Sequence, residues 1–550
     1  MPSSKHTQFE LLKMILILSS IAIVIEYAET MLFPAIPDII KEFNSSYSSS
    51  SWILSGYLIT AAVMAPIVGK FSDTYGKKKV LISIMSIFTA SIALAGFSSN
   101  MATLIAIRVV QGIGLSMFII ALSILQSSVP KEKYALANGI LASTYFSGSS
   151  IGILIGGSII HYFGWRTIFF SLIPVVITLL VVIIRVLNVR ENEELKQKAE
   201  KVEKARSNSF SNNKANTNNA TKKNDYIIHS SNTKDSFLKS LDIKGAITLL
   251  VTITSFLAAL TYMENGNSSG MPSITTDGNS GSYYGNNLIL MAGLLAVGVV
   301  SLVLFFVTEK KRTTTTPTSL PPLVDLKLIG NKTILPVLVM FLILGFTMFM
   351  VYQTVPILAR APIPLGLGGN AITSSFILIP FTLVFLIFSP IVGIMVRKFG
   401  NMTLFIAGSV ISVIGYFSIF LFHSSQLEVS VSLAIVSTGL ALLNTIGMNI
   451  VMLSTPKQFG GITIAMVQVL TFIGMSIGPV VGAMYMQSHQ VHIDGISKSF
   501  SSSSSYPSSE AYYLIFLTAA IASLFFIVLA IVLKRQDPQA GSESKINYQR

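Results

Sequence analysis

Fourteen separate runs of mostly apolar residues, each about 20 residues long, recur along this chain, and that length is what an α-helix needs to cross a bilayer. They fall at about 12–36, 52–70, 80–98, 101–127, 134–160, 166–188, 242–263, 287–307, 333–358, 371–396, 402–422, 428–453, 460–486 and 511–533. Composition agrees: 51% of residues are hydrophobic and 11% charged, against about 25% charged in a typical soluble domain. The chain is therefore expected to be an all-α integral membrane protein. The first run is too long for a cleaved signal sequence and continues into Pro34 and Pro37,. Gly and Pro inside several runs are tolerated in spanning helices.

Basic residues set the expected orientation. They follow the even-numbered runs: Lys77 to Lys79, Lys131 and Lys133, a dense stretch from Arg190, Lys310 to Arg312, Arg397 and Lys398, Lys457, and Lys534 and Arg535. Loops after odd-numbered runs carry little beyond Lys41, Arg360 and Lys498. Both termini are thus predicted to be cytoplasmic, as an even helix count requires. This placement accounts for the net charge of +14, so nucleic acid is not expected as a partner. The absence of cysteine excludes disulfides, thiolate metal sites and a cysteine nucleophile.

The runs divide the chain into a first bundle (1–188), a cytoplasmic linker expected to be disordered (189–240), an inserted helix pair (241–308), a cytoplasmic loop (309–332), a second bundle (333–535) and a cytoplasmic tail (536–550),. Segments 264–286 and 487–510 are rich in Ser, Gly and Asn and read as flexible outside loops. Asn44 and Asn267 head glycosylation-acceptor triplets on that side,.

Polar residues within the runs are candidate functional groups, because a charge at membrane depth usually faces a cavity or a partner. Glu26 and Glu29 share one face of the first helix,. A buried carboxyl beside a like-charged neighbour can hold a proton near neutral pH, as a proton carrier must. Arg108 and Gln111 lie in the fourth run, and Arg108 is expected at the depth of Glu29, where the two can pair,. Tyr352 and Gln353, Asn444 and Asn449, and Gln468 are polar groups of the second bundle that either line a cavity or bond neighbouring helices.

Between the second and third runs stands Gly69-Lys-Phe-Ser-Asp73-Thr-Tyr-Gly76-Lys77-Lys78-Lys79. Lysines alone are ordinary in such a loop; Gly69, Asp73 and Gly76 at this spacing are not. The segment resembles the signature loop of the major facilitator superfamily, and Gly393 to Gly400 resembles a degenerate second copy without its acid. The Arg108-Val-Val-Gln111-Gly112-Ile-Gly114 stretch is similar to the family's second motif. Gly148, Gly152, Gly156 and Gly157 match the glycines of its antiporter motif, with Ile153 where that motif has proline; Gly474 to Gly482 keeps the proline. In the fourteen-helix drug antiporters the first helix carries an acid at the position Ala28 occupies here, one before Glu29.

The resemblance implies two six-helix bundles related as an inverted-repeat major facilitator fold, with two inserted helices. It implies that Asp73, with Gly69, Gly76, Lys77 and Lys78, forms a gate against a helix end of the other half. It further implies proton-coupled efflux of amphipathic or cationic organic compounds by alternating access across the cell membrane, with Glu29, Glu26 and Arg108 carrying the proton. Tyr352, Gln353, Asn444 and Gln111 would contact substrate. A symporter importing a sugar, organic acid or peptide is the alternative, and a nontransporting sensor a third. No enzymatic activity, metal or cofactor is expected. The partners are protons, a small-molecule substrate and the lipid bilayer, and a monomer is expected. The inserted pair lies outside every motif and is expected to be dispensable to the fold of the halves.

Overall fold

Helix punctuation sits where the apolar runs stop. Ser46 accepts the Ser49 amide, Asn370 accepts the Thr373 amide, and Ser425 with Glu428 forms a capping box, each satisfying orphan amides at a helix start. The computed structural model describes residues 4–129, 131–187, 243–265, 280–314, 330–455, 460–492 and 505–536. The expected linker 189–240, nearly all of the tail, Asn267 and most of the loops at 264–286 and 309–332 lie outside the described residues.

Fourteen described helices are long and apolar enough to span a bilayer. Helix α1 comprises Ser4–Thr30, a 3-10 turn Phe33–Ala35 and Ile36–Glu42; α2 is Tyr47–Tyr75 and α3 Lys77–Ala95. Helix α4 runs Met101–Gln111, a 3-10 turn Gly112–Ser116 and Met117–Ser128; α5 is Lys131–Phe163 and α6 Arg166–Val186. The inserted pair is α7, Ile243–Asn265, and α8, Ser280–Thr314. The second bundle is α9 (Ile334–Arg360), α10 (Ala371–Phe399), α11 (Asn401–Leu421), α12 (Gln426–Ser454), α13 (Gly460–Ser488) and α14 (Ser509–Gln536). One expectation is corrected: the segment after α13, read as a flexible loop, contains a small antiparallel ladder, β1 (Gln490–His492) with β2 (Ser505–Pro507), whose three register pairs satisfy backbone groups there.

The two bundles repeat at the residue level. Gly76 ends α2 at φ 102° and Gly400 ends α10 at φ 77°, and the next helix starts one residue later in both. Only glycine adopts such backbone without strain. A Cβ on Gly148 or Gly152 of α5 would lie 2.5 Å from the Ile23 oxygen or 2.8 Å from the Tyr27 oxygen of α1. A Cβ on Gly474 or Gly478 of α13 would lie 2.0 Å from the Leu342 oxygen or 2.4 Å from the Phe346 oxygen of α9. The same four-residue step thus brings α5 onto α1 and α13 onto α9, backbone to backbone, as small residues permit in membranes.

The halves meet along two seams, α2 against α13 and α5 against α10. Gly157 serves the second: a Cβ there would stand 1.8 Å from the Ser375 hydroxyl of α10. The inserted α7 lies outside the first seam, against both α2 and α13, and α8 packs on α7.

Candidate functional site

The break in α1 places its acids at the heart of the bundle. Glu26 and Glu29 close the Ser4–Thr30 segment, and the chain runs on as helix to Glu42, six residues beyond the expected end. Glu29 therefore lies well inside the span, some 13 residues or about 20 Å of helical rise from its far end,. Its carboxylate is buried, with neither oxygen hydrogen-bonded. Glu26 is also buried, with Oε2 unpaired and the Tyr145 hydroxyl of α5 in hydrogen-bonding reach.

Arg108 is fully buried and faces inward from α4. Its Nη1 donates to Gln111 Oε1 (2.9 Å) and to the Ala28 carbonyl (3.4 Å), and its Nε donates to the Ile53 carbonyl (3.3 Å). The guanidinium lies 4.0 Å from the centre of the Tyr57 ring, an attraction that strengthens where water is excluded. The expected direct pairing of Arg108 with Glu29 is corrected: the two interact through space without a hydrogen bond. The physical reason is that the guanidinium is committed to α1 and α2 backbone and to Gln111. Its Nη2, the Gln111 Nε2 and the Tyr57 hydroxyl lack protein partners in the buried cluster. Buried polar atoms are nearly always satisfied, which makes this cluster the candidate site.

Helix α9 closes the cluster from the other half. The Tyr352 ring stacks on Phe33 with centroids 5.0 Å apart and meets Phe349 and Phe381 edge-on. Its hydroxyl end is in electrostatic contact with Glu26 and in reach of Ser149. Gln353 is fully buried with both amide atoms unpaired. Asn444 is half-buried on α12, whereas Asn449 donates to Asn401 (2.8 Å) and so bonds neighbouring helices. Gln468 is half-buried on α13.

Among the described residues, the hydrogen bonds and ion pair that join the halves lie between this cluster and the end of the bundle away from both termini. Arg360 of α9 forms a two-pronged ion pair with Asp38 of α1 (Nη1 to Oδ2 2.6 Å) and donates to the Pro34 carbonyl at 3.2 Å. Ser55 donates to the Ser476 carbonyl at 2.7 Å, the Tyr47 amide to Gln487 Oε1 at 3.0 Å, and Ser375 to the Ile153 carbonyl at 2.8 Å. A cavity of about 510 Å³ opens at this end, lined among others by Asp38, Glu42, His161 and Arg360.

At the opposite end, the signature segment divides by role. The Lys77 ammonium donates to the Ser123 carbonyl (2.9 Å) and Ser127 hydroxyl (3.0 Å) of α4, and Lys78 to the Ile184 carbonyl of α6 (2.9 Å). Lys78 thus meets a carbonyl in the last turn of α6, where cations are favoured, and Lys77 meets α4 of its own half. Gly69 has only Ile119 near it, at 3.7 Å from an added Cβ. Asp73 lies in the last turn of α2, and its side chain is outside the described residues. Sequence reasoning missed Tyr57, Tyr145 and the Asp38–Arg360 pair. A tyrosine is unremarkable in a spanning helix, and Arg360 read as one stray outside charge.

A sequence profile of the Major Facilitator Superfamily matches residues 18–284, 278–479 and 361–547. The chain is 24% identical over 452 residues to a multidrug transporter protein, MdtP, of Bacillus subtilis, covering 82% of this chain and 70% of that one. It is 31% identical over 153 residues to the tetracenomycin C resistance and export protein of Streptomyces glaucescens, 28% of each chain. Several curated relatives are matched over only 24 to 30% of their length. Among solved structures, an auto-inhibited peptide transporter of the POT family aligns over 95% of this chain and 97% of its own at 12% identity, with a TM-score of 0.55, a likeness of fold alone. With profile matches running from residue 18 to residue 547 over a fourteen-helix repeat fold, this chain belongs to the Major Facilitator Superfamily.

Proposed function

We propose that the protein exports amphipathic or cationic organic compounds across the cell membrane in exchange for protons. The observation that carries this reading is the buried Glu29 carboxylate, whose oxygens have no hydrogen-bond partner while Arg108 is held nearby by the Ala28 and Ile53 carbonyls and Gln111. Such a carboxyl has no fixed partner to satisfy its charge, so a proton or a cationic ligand can neutralise it in turn. Proton and substrate then compete for one site. Tyr352, Gln353 and half-buried Asn444 bring aromatic and amide surface to it from the second half, which suits varied organic cations. Gln111 and Glu26 complete the site.

The lysine distribution puts both termini in the cytoplasm,. The end closed by Asp38 and Arg360 then faces outside, and the conformation is the outward-closed member of an alternating pair. Asp73 gates the other end, and Lys77 and Lys78 brace its loop on α4 and α6. Glycines 148, 152, 156 and 157 hold α5 between α1 and α10. The name of the Streptomyces relative, a resistance and export protein, favours export, and that of the Bacillus relative favours a multidrug substrate range.

The test is uptake of lipophilic cations into inside-out vesicles carrying the purified chain, with and without an imposed proton gradient. Gradient-driven uptake abolished by a protonophore is expected; equal uptake with and without the gradient would overturn proton coupling. One observation keeps import in view: Ile153 stands where the antiporter motif has proline. Accumulation of a labelled nutrient by cells expressing the chain would decide for the symporter.

A further inference from the structure

The inserted pair is not a peripheral ornament of one bundle. Helix α7 carries an apolar ridge, Ala246, Leu249, Ile253 and Leu257, spaced three and four residues apart on one face, all buried. This ridge joins one cluster with Ile59 and Val63 of α2 and with Val469 and Val480 of α13. One helix therefore covers the line along which the two halves meet. Among the described residues, α7 and α8 pack on the α2–α13 side; at the opposite seam, α5 against α10, the halves touch directly through Gly157 and Ser375.

The two sides of α7 are attached differently. Toward α2, the Trp52 indole donates to the Thr261 hydroxyl at 3.2 Å. Toward α13, the cluster among the described residues is built of aliphatic side chains, Val469, Ile473, Ile477 and Val480. A hydrogen bond is directional and resists displacement, whereas aliphatic packing is a sum of weak, non-directional contacts that tolerates slippage. Helix α8 follows α7: Ser301 donates to the Thr248 carbonyl at 2.8 Å, and Gly298 lets the Phe256 ring approach. The far side of α8, with Val299 and Val303, is exposed and apolar, as a lipid-facing surface is.

We infer that α7 and α8 form a sliding seal, fastened to the first bundle through α2 and gliding over α13, which keeps the α2–α13 seam closed to lipid while the halves rock. Two packed halves that rock must shear at their seams, and a bare seam exposes cavity-lining groups to the bilayer as it opens. A helix tied to one side covers the gap in both states. The reading rests on alternating access, and it confines exchange of bilayer-dissolved compounds with the central site to the α5–α10 seam.

The chain contains no cysteine, so introduced pairs are unambiguous. Trp52→Cys with Thr261→Cys joins α7 to α2, and Ile253→Cys with Val469→Cys joins α7 to α13; each pair is bridged by a flexible bismaleimide. A third cysteine, Ser375→Cys, buried on the opposite seam, reports outward opening by its reaction with a water-soluble maleimide added after bridging. Bridging to α2 should leave that labelling rate little changed. Bridging to α13 should slow it about ten-fold or more, as expected when a rate-setting rearrangement is blocked. Unchanged labelling after bridging to α13, arrest after bridging to α2, or failure of the 253–469 pair to bridge would each overturn the proposal. The labelling needs no substrate. If labelling behaves as expected but no compound is exported, the export reading fails and the seal stands.

Discussion

The Nη1 of Arg108 bonds the carbonyl of Ala28, the residue directly before Glu29. The first-helix acid of the drug antiporters resembled here would stand at that residue. In this chain the arginine holds the backbone instead, and the carboxylates flank the position on either side. The charge balance of the buried cluster thus depends on Glu29 without a fixed ion pair, and the first prediction follows from it.

Glu29→Gln keeps shape and hydrogen-bonding capacity but cannot carry a proton. Proton-driven transport in vesicles should fall at least ten-fold, while binding of a fluorescent cation persists. Glu26→Gln should reduce transport less, since the Tyr145 hydroxyl already lies in reach of that carboxyl. The double variant should be uncoupled. Full coupling in the double variant would mean that the proton travels elsewhere.

Arg108→Lys should abolish transport although the charge is kept. A lysine cannot reach Ala28, Ile53 and Gln111 together or lie flat over Tyr57,. Arg108→Ala leaves the Ala28 and Ile53 carbonyls and Gln111 without their donor and should cost roughly 1–3 kcal/mol of stability, read as a lowered unfolding temperature in detergent. An Arg108→Lys variant with ordinary transport would remove the arginine from the site.

Arg360→Asp sets two acids face to face across the outer end. Maleimide labelling of Ser375→Cys should rise about five-fold, the equivalent of about 1 kcal/mol for a partly exposed pair,. The swap Asp38→Arg with Arg360→Asp should bring labelling back toward the starting rate. No rescue would indicate that packing, not charge, closes that end.

Glycine replacements should separate by geometry. Gly148→Val meets the Ile23 carbonyl and should impair folding, whereas Gly69→Ala meets nothing closer than 3.7 Å and should fold normally. Gly76→Ala, at φ 102°, should cost roughly 1–3 kcal/mol. Yield and thermal stability of the three proteins, compared in one detergent, order the effects.

Asp73→Asn removes one charge from the last turn of α2 and should slow transport several-fold with insertion unchanged. Normal transport at normal expression would cancel the gate role.

Helix number, the two-bundle repeat and the candidate acids were legible in the sequence, because bilayer thickness demands long apolar runs and polar residues inside them are conspicuous. The glycine steps of α5 and α13 were legible for the same reason: small residues recurring every fourth position have few uses other than close helix contact. Which partner each polar group takes was not legible. Arg108 lies 80 residues from Ala28 and Arg360 lies 322 from Asp38, and no local pattern encodes such pairings. The lysines of the signature segment look alike in sequence, yet the fold points Lys77 to α4 and Lys78 to α6. The inserted pair reads as an appendage until packing sets α7 across the α2–α13 seam. Hydropathy reports only that a residue leaves water; which neighbour it meets there is decided when fourteen helices pack together.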